Sequence, residues 1–246
     1  MVGWRCFVSS GLIGFLTLGC GNSANSIRQY SKQVVQETNV AQIITKANDF
    51  QQAEDFFQKG NDLLRNERYL EAIAAYDKAL EINPNSGAWI NRGNALTALR
   101  RYPEALYSYD QAIAISPNKQ KTWFNKGNAL TAMLRYPEAL YSYNKAIAIS
   151  PNQYEAWINR GIVLVKLQRH KEAISSYDRA IAISPHKQEA YYNKACAYAL
   201  QNNVKLATKN LEKAIALSPS KYQKLAKTDR DFDQVRSHKE FQELIQ

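Results

Sequence analysis

Residues 123–151 read WFNKGNALTAMLRYPEALYSYNKAIAISP, and the same order of residue types recurs about every 34 residues along the chain. In this copy the repeated residues are Trp123, Gly127, Ala139, Tyr143, Ala146 and Pro151. One period earlier they are Trp89, Gly93, Ala105, Tyr109, Ala112 and Pro117, and one period later Trp157, Gly161, Ala173, Tyr177, Ala180 and Pro185. A fixed period of this length is typical of a repeat architecture, in which each unit packs on its neighbours.

Two more degenerate copies flank these three. The first has Phe56, Gly60, Ala72, Tyr76, Ala79 and Pro84, and the last has Tyr191, Ala195, Ala207, Leu211, Ala214 and Pro219. The predicted repeats are residues 53–85, 86–119, 120–153, 154–187 and 188–221. Places within a copy are counted from its first residue, so that a tryptophan stands at place 4 and a tyrosine at place 24.

Each copy has the pattern of a helical hairpin. Trp123 and Gly127 fall on one face of a first helix, and Ala139 and Tyr143 fall on one face of a second. The small residues Gly127 and Ala139 allow two antiparallel helices to approach closely, and we expect Trp123 and Tyr143 to fill the space around that contact. Pro137 suits the first turn of the second helix, where no amide hydrogen is needed.

This pattern resembles the tetratricopeptide repeat, over residues 53–221. The resemblance implies an all-α, right-handed superhelical solenoid of about five hairpins, whose first helices line a concave groove that binds a protein or peptide. Residues 222–246 carry apolar residues on a helical pattern and are predicted to cap the last hairpin. Ala195 and Leu211, which replace the usual glycine and aromatic residue, are departures confined to the fifth copy.

The amino terminus has the layout of a signal peptide. Arg5 precedes an uncharged run from Cys6 to Gly19, and Cys20 and a polar stretch follow. The run is too short to cross a hydrocarbon core of about 30 Å. We predict that residues 1–19 are a signal peptide, and residues 20–52 a polar, helical linker.

Residues 16–20 resemble a bacterial lipobox, apart from Thr17, which implies that Cys20 is acylated and holds an exported protein at a membrane. Two alternatives are secretion with cleavage near Ala24, and a cytoplasmic protein with an uncleaved amino terminus.

A column of asparagines marks the candidate groove. Places 2, 6, 9 and 13 of each first helix lie opposite the tryptophan and glycine stripe. The candidate partner-binding residues on or next to this face are Asn61, Asn91, Asn94, Lys121, Asn125, Asn128, Thr131, Asn159 and Asn193. An asparagine amide both donates and accepts, so the column suits the backbone of an extended peptide.

The alternative is that the asparagines are merely solvated helix residues. Since they point away from the hairpin core, we expect alanine at Asn94 and Asn128 to leave folding intact. A carboxylate clamp known in the family is incomplete here. Asn61, Asn91 and Lys121 match it, but Phe57 and Asn125 stand where basic residues are expected.

Place 7 is basic in every copy, with Lys59, Arg92, Lys126, Arg160 and Lys194. We favour a structural role, in which the aliphatic stem packs and the charge reaches water. The alternative is a positive ladder that steers acidic partners, supported by eight basic against three acidic residues in 86–153.

The residues do not predict an enzyme. His170 and His186 stand at places 17 and 33 of the fourth copy and His238 lies in the tail, and Cys196 has no neighbour in sequence that would lower its pKa. Cys6, Cys20 and Cys196 are too few and scattered for a disulfide framework. We therefore expect no metal, cofactor or small-molecule substrate.

The leading hypothesis is a membrane-anchored, non-enzymatic scaffold that binds a protein or peptide. One alternative is an accessory factor that recruits an envelope or polysaccharide-related enzyme complex. Nucleic-acid binding through the net charge of +10 is disfavoured, because the aromatic residues belong to the repeat core.

Overall fold

The structure is a computed structural model that describes residues 23–246, and their side chains from residue 28 onward. The predicted signal peptide, residues 1–19, and Cys20 lie outside the described residues. The described chain forms twelve α-helices and one 3₁₀ turn, without a strand. The predicted all-α repeat fold with a helical cap is confirmed.

From α2 to α10 each helix lies within one predicted copy, whereas α1 and α11 cross the predicted bounds after residues 52 and 221. Their bounds are α1 Ser23–Arg65, α2 Tyr69–Ile82, α3 Ser86–Ala98, α4 Tyr102–Ile115, α5 Gln120–Ala132, α6 Tyr136–Ile149, α7 Tyr154–Lys166, α8 His170–Ile183, α9 Gln188–Ala199, α10 Val204–Leu217, α11 Pro219–Thr228 and α12 Lys239–Ile245, with the 3₁₀ turn at Arg230–Phe232. Pro103 and Pro137 stand in the first turns of α4 and α6, as predicted.

The chain divides into two units, Met1–Asp49 and Phe50–Gln246. In the first unit, residues 23–49 belong to α1, and every side chain from residue 28 to residue 49 is exposed. None of the helices from residue 23 onward has the combination of length and apolar character needed to span a bilayer.

The second unit contains the hairpins and the cap. The end of α1 pairs with α2, and α3 with α4, α5 with α6, α7 with α8 and α9 with α10. The second helix of each hairpin also packs on the first helix of the next. The hairpins therefore form a continuous solenoid with a core that runs from copy to copy.

A glycine and a tyrosine set the distance between the two helices of a hairpin. A Cβ atom added at Gly127 would lie 2.6 Å from Cε1 of Tyr143, and the other three glycines at place 8 meet their tyrosines at 2.4 to 2.6 Å. These tyrosines, at place 24, are at most 1 % exposed. In the fifth copy Ala195 and Leu211 replace the pair together, so the two departures are one coupled change.

The tryptophans at place 4 contact both their own hairpin and the preceding copy. Trp123 is half-buried and lies edge-on to Tyr141 of the second helix, with ring centroids 6.0 Å apart. Its Nε1 donates to the carbonyl of Pro117 in the preceding copy at 2.8 Å, and Trp157 donates likewise to Pro151. These tryptophans therefore join successive copies.

The two ends of the array are finished in different ways. At places 3 and 10, where copies two to five carry fully buried residues, the first copy has the exposed Asp55 and Asp62. At the other end α11, the 3₁₀ turn and α12 cover the fifth copy. The aromatic rings of the covering cluster belong to Tyr192, Tyr222, Phe232 and Phe241. The array thus has a polar face at the first copy, and it is covered by added helices after the fifth copy.

We predict that Gly127→Ala destabilises the protein, because the new methyl group collides with the Tyr143 ring. Overpacking of this kind costs about 1 to 3 kcal/mol, which exceeds the gain of up to about 1 kcal/mol in helix propensity. Adding Tyr143→Leu reproduces the pair found in the fifth copy and should relieve the collision. Urea unfolding of the two single variants and the double variant measures the coupling.

The expected result is that the double variant loses less stability than the sum of the two single changes, by about 0.5 to 3 kcal/mol. Strictly additive losses would show that the glycine and the tyrosine are not coupled.

Candidate functional site

Asparagines at places 9 and 6 form hydrogen bonds across the junctions between copies. Asn94 Oδ1 accepts from Tyr109 Oη of its own copy at 3.0 Å, and from Asn125 Nδ2 of the next copy at 2.7 Å. A single carbonyl oxygen therefore ties the hairpin core to the following repeat.

The same arrangement occurs at two more junctions. Asn61 accepts from Tyr76 at 3.0 Å and from Asn91 at 2.8 Å. Asn128 accepts from Tyr143 at 2.8 Å and from Asn159 at 2.9 Å. The asparagine ladder consists of Asn61, Asn91, Asn94, Asn125, Asn128 and Asn159, all of which are half-buried. The structure thus brings together six of the nine predicted site residues.

The tyrosine hydroxyls set which way the amides point. In all three copies Oδ1 of the asparagine at place 9 faces the tyrosine and accepts from its hydroxyl. Burial raises the pKa of Tyr109 and of Tyr143 to about 12, so these donors persist into alkaline pH. The core thereby orients the side chains of the groove.

Two kinds of polar group remain on the groove side of the ladder. At place 9 the amide Nδ2 has hydrogens to donate, and at place 6 Oδ1 has lone pairs to accept. Between the second and third copies, a small cavity of about 140 Å³ is lined by Asn94, Thr97, Tyr109, Asn125 and Asn128. The site can therefore offer a donor and an acceptor side by side, the pair that a peptide group requires.

The other predicted site residues have different environments. Thr131 Oγ1 donates to the carbonyl of Gly127 at 2.8 Å and lies 3.2 Å from Tyr143 Oη, beside the tyrosine that holds Asn128. Lys121 is exposed at place 2. Asn193 is half-buried, and the described residues provide no hydrogen-bond partner for its side chain.

The ladder stops in the fourth copy for a reason visible in the sequence. Ile162 and Val165 occupy the places that hold asparagine and threonine in the second and third copies. Asn193 therefore has no acceptor corresponding to Asn94 or Asn128. The ladder spans three junctions, between the first and the fourth copies.

The geometry corrects the expectation that alanine at Asn94 and Asn128 would leave folding intact. Both asparagines accept from a tyrosine of the hairpin core and from the next copy. Helical periodicity placed them on the groove face, but it could not show that the tyrosine hydroxyl reaches across to them.

The basic column joins copies through ion pairs. Arg92 Nε lies 2.6 Å from Asp77, Lys126 Nζ 2.5 Å from Asp110, and Lys194 Nζ 2.6 Å from Asp178. Each aspartate stands at place 25 of the preceding copy. These cations also lie beside aromatic rings, as for Arg92, 5.7 Å from the Trp89 centroid. The structural interpretation of the column is favoured over a positive ladder for partners.

Arg160 differs because Asn144 replaces the aspartate. Its guanidinium donates to Asn144 Oδ1 at 2.7 Å and to Ser176 Oγ at 2.5 Å. Without a direct carboxylate partner, burial lowers the pKa of Arg160.

A cluster at the fifth copy could not be found from local sequence. The segment after α11 brings Asp229 and Asp231 next to Cys196, which stands at place 9. One carboxylate oxygen of each aspartate and the sulfur of Cys196 all lie within 4.8 Å of one another. Tyr192 Oη donates to Asp229 Oδ2 at 2.7 Å. Burial, followed by the two carboxylates, raises the pKa of the Cys196 thiol well above its usual value. A thiol with a raised pKa is a weaker nucleophile than an ordinary cysteine at neutral pH.

We predict that Asn94→Ala destabilises the array, since it leaves Tyr109 Oη and Asn125 Nδ2 without their shared acceptor. Loss of such a partner costs about 1 to 3 kcal/mol. The matched control is Asn193→Ala, which removes an asparagine from place 6 of the fifth copy without breaking a ladder bond. Thermal and urea unfolding should show a loss only for Asn94→Ala, and equal effects would contradict the role assigned to the ladder.

Comparison with known proteins agrees with this geometry. Family models described as tetratricopeptide repeat or TPR repeat match residues 57–119, 127–168, 154–187 and 188–221. A search of curated protein sequences found no match.

Among solved structures, YrrB, described as a TPR protein with an unusual peptide-binding site, is 25% identical with a TM-score of 0.64, over 74% of this chain and 93% of its own. MamA from Desulfovibrio magneticus RS-1 is 19% identical with a TM-score of 0.66, over 69% of this chain and 97% of its own. Another MamA structure is 23% identical with a TM-score of 0.63, over 66% and 95%. The MamA structures support the fold alone.

Proposed function

Because the chain belongs to the tetratricopeptide-repeat family, we propose that it is a non-enzymatic adaptor that binds an extended segment of a partner protein along the asparagine ladder. The observation that carries the proposal is the fixed orientation of the ladder amides. Tyrosine hydroxyls hold each Oδ1 at place 9, so that Nδ2 is left for a ligand.

The proposed contacts are to the peptide backbone. At each junction Nδ2 of an asparagine at place 9 donates to a ligand carbonyl, and Oδ1 of an asparagine at place 6 accepts from a ligand amide. Since every peptide has these groups, the ladder accepts many sequences, and neighbouring side chains such as Lys121 adjust the preference. Because the amides are already ordered, little side-chain entropy is lost on binding.

The description of YrrB as a protein with a peptide-binding site supports a peptide ligand for a solenoid of this kind. Recruitment of an envelope or polysaccharide-related enzyme complex is an alternative role for the same groove. Nucleic-acid binding is less favoured, because three of the five basic residues at place 7 are paired with aspartates.

The double variant Asn94→Asp with Asn128→Asp tests the groove. Aspartate keeps an oxygen to accept from the tyrosine and from the next copy, but it replaces the groove-facing donor with an acceptor. Binding of peptides selected from a random twelve-residue library against the full-length chain should weaken. Two lost hydrogen bonds correspond to about 1 to 3 kcal/mol, or roughly a 5- to 150-fold rise in Kd.

The control is Asn118→Asp with Asn152→Asp, which adds the same charge at exposed turn positions between copies. These changes should leave Kd unchanged, and circular dichroism should show the same helix content in all proteins. If the ladder variant binds as tightly as the parent, or the turn variant weakens binding equally, the ladder is not the binding surface.

We further propose that the protein is exported and anchored by a lipid on Cys20. The proposal rests on the apolar run and the lipobox-like residues 16–20. Mass spectrometry of membrane fractions should find a mature chain that begins at an acylated Cys20, and Cys20→Ala should abolish that species. An intact amino terminus at Met1, or cleavage near Ala24 without a lipid, would contradict the anchor.

A further inference from the structure

The first copy has an open cavity on the face opposite to the asparagine ladder. Its volume is about 200 Å³, and its lining consists of Phe56, Lys59, Leu63, Glu71, Ala74, Ala75 and Lys78. Leu63 and Ala75 are almost completely buried, whereas Ala74 and Lys59 are exposed at the rim. The cavity therefore has an apolar floor and a polar edge.

The second and third copies show what belongs at this position. There, place 22 is a tyrosine that is more than half exposed and lies edge-on to the tryptophan at place 4. The centroids are 5.8 Å apart for Trp89 and Tyr107, and 6.0 Å for Trp123 and Tyr141. In the first copy the tyrosine is replaced by Ala74 and the tryptophan by Phe56. Two aromatic residues have thus been reduced in size, and a ring-sized space is left.

The space is large enough for an aromatic side chain, since an apolar cavity of about 150 Å³ accommodates benzene. Phe56 would meet an incoming ring in the same way that Trp89 meets Tyr107. Edge-to-face contacts of this type add about 0.5 to 1.5 kcal/mol to the burial of the rings.

Two ammonium groups stand beside the cavity. At place 7 Lys126 and Lys194 pair with aspartates of the preceding copies, but Lys59 belongs to the first copy. Lys78 Nζ lies 5.3 Å from the Phe56 centroid. The one lining carboxylate, Glu71, is bound by the guanidinium of Arg68. Within the described chain, Lys59 and Lys78 lie beyond salt-bridge distance of any carboxylate, and Lys59 acts on Glu71 only at longer range, as a minor contribution to its lowered pKa after that of Arg68.

We propose that this cavity binds an aromatic side chain from an acidic segment of a partner protein. The ring takes the position of the missing tyrosine, and flanking carboxylates pair with Lys59 and Lys78. The site lies on the opposite face of the hairpins from the ladder, so it provides a second contact that is independent of the groove.

The probe is the capped pentapeptide Glu-Asp-Tyr-Asp-Glu, titrated into isotope-labelled full-length protein and followed by NMR. Shift changes should centre on Phe56, Lys59, Leu63 and Ala74. A peptide with alanine in place of tyrosine should bind at least tenfold more weakly. A peptide that keeps the tyrosine but has glutamine and asparagine in place of the acids should lose the salt dependence of binding.

Ala74→Tyr is the decisive variant, because it gives the first copy the ring that lies against the aromatic residue at place 4 in the second and third copies. It should weaken probe binding at least tenfold and leave the melting temperature unchanged or higher. Ser175→Tyr, which places a tyrosine at the exposed place 22 of the fourth copy, is the matched control and should not alter probe binding.

Equal affinities of Ala74→Tyr and the parent, or of the tyrosine and alanine peptides, would overturn the proposal. So would loss of probe binding in the Asn94→Asp, Asn128→Asp variant, since that result would place the probe on the ladder. If the ladder variant bound library peptides as tightly as the parent, that result would contradict the groove proposal only. It would not bear on the proposal for this cavity.

Discussion

The tyrosine at place 24 is the residue on which the rest of the array depends. Its ring fills the space that the facing glycine leaves, as for Tyr143 and Gly127, and this contact sets the distance between the two helices. In the first three copies its hydroxyl reaches the opposite side of the hairpin and holds an asparagine oxygen. One side chain therefore determines both the packing of the core and the polarity of the groove.

The helical hairpins could be predicted from sequence, because helical periodicity and a repeat of about 34 residues are local properties. The contacts between copies could not. Trp123 bonds to Pro117 and Lys126 to Asp110, and each partner lies in the preceding copy. A pattern read within one copy has no information about these pairs.

The candidate site shows the same division. Periodicity placed Asn94 and Asn125 on one face, but the shared acceptor depends on how two successive hairpins are rotated, which no spacing within a helix specifies. The return of Asp229 to Cys196 joins residues 33 apart through the turn after α11. By contrast, the end of the ladder after Asn159 can be read from the sequence, because Ile162 and Val165 replace the asparagine and threonine of the second and third copies.

The bonds between asparagines cross the junctions between copies, so bending of the solenoid at a junction would change the positions of the ladder amides. A solenoid flexes mainly between its repeats, where only nearest neighbours touch. A ligand that pairs with both Asn94 and Asn125 would hold the second and third copies together. Part of its binding free energy would then appear as a higher bending stiffness of the solenoid at this junction. Tension applied to the two ends of the array would in turn change the distance between these amides. The affinity for a ligand would therefore depend on the applied force.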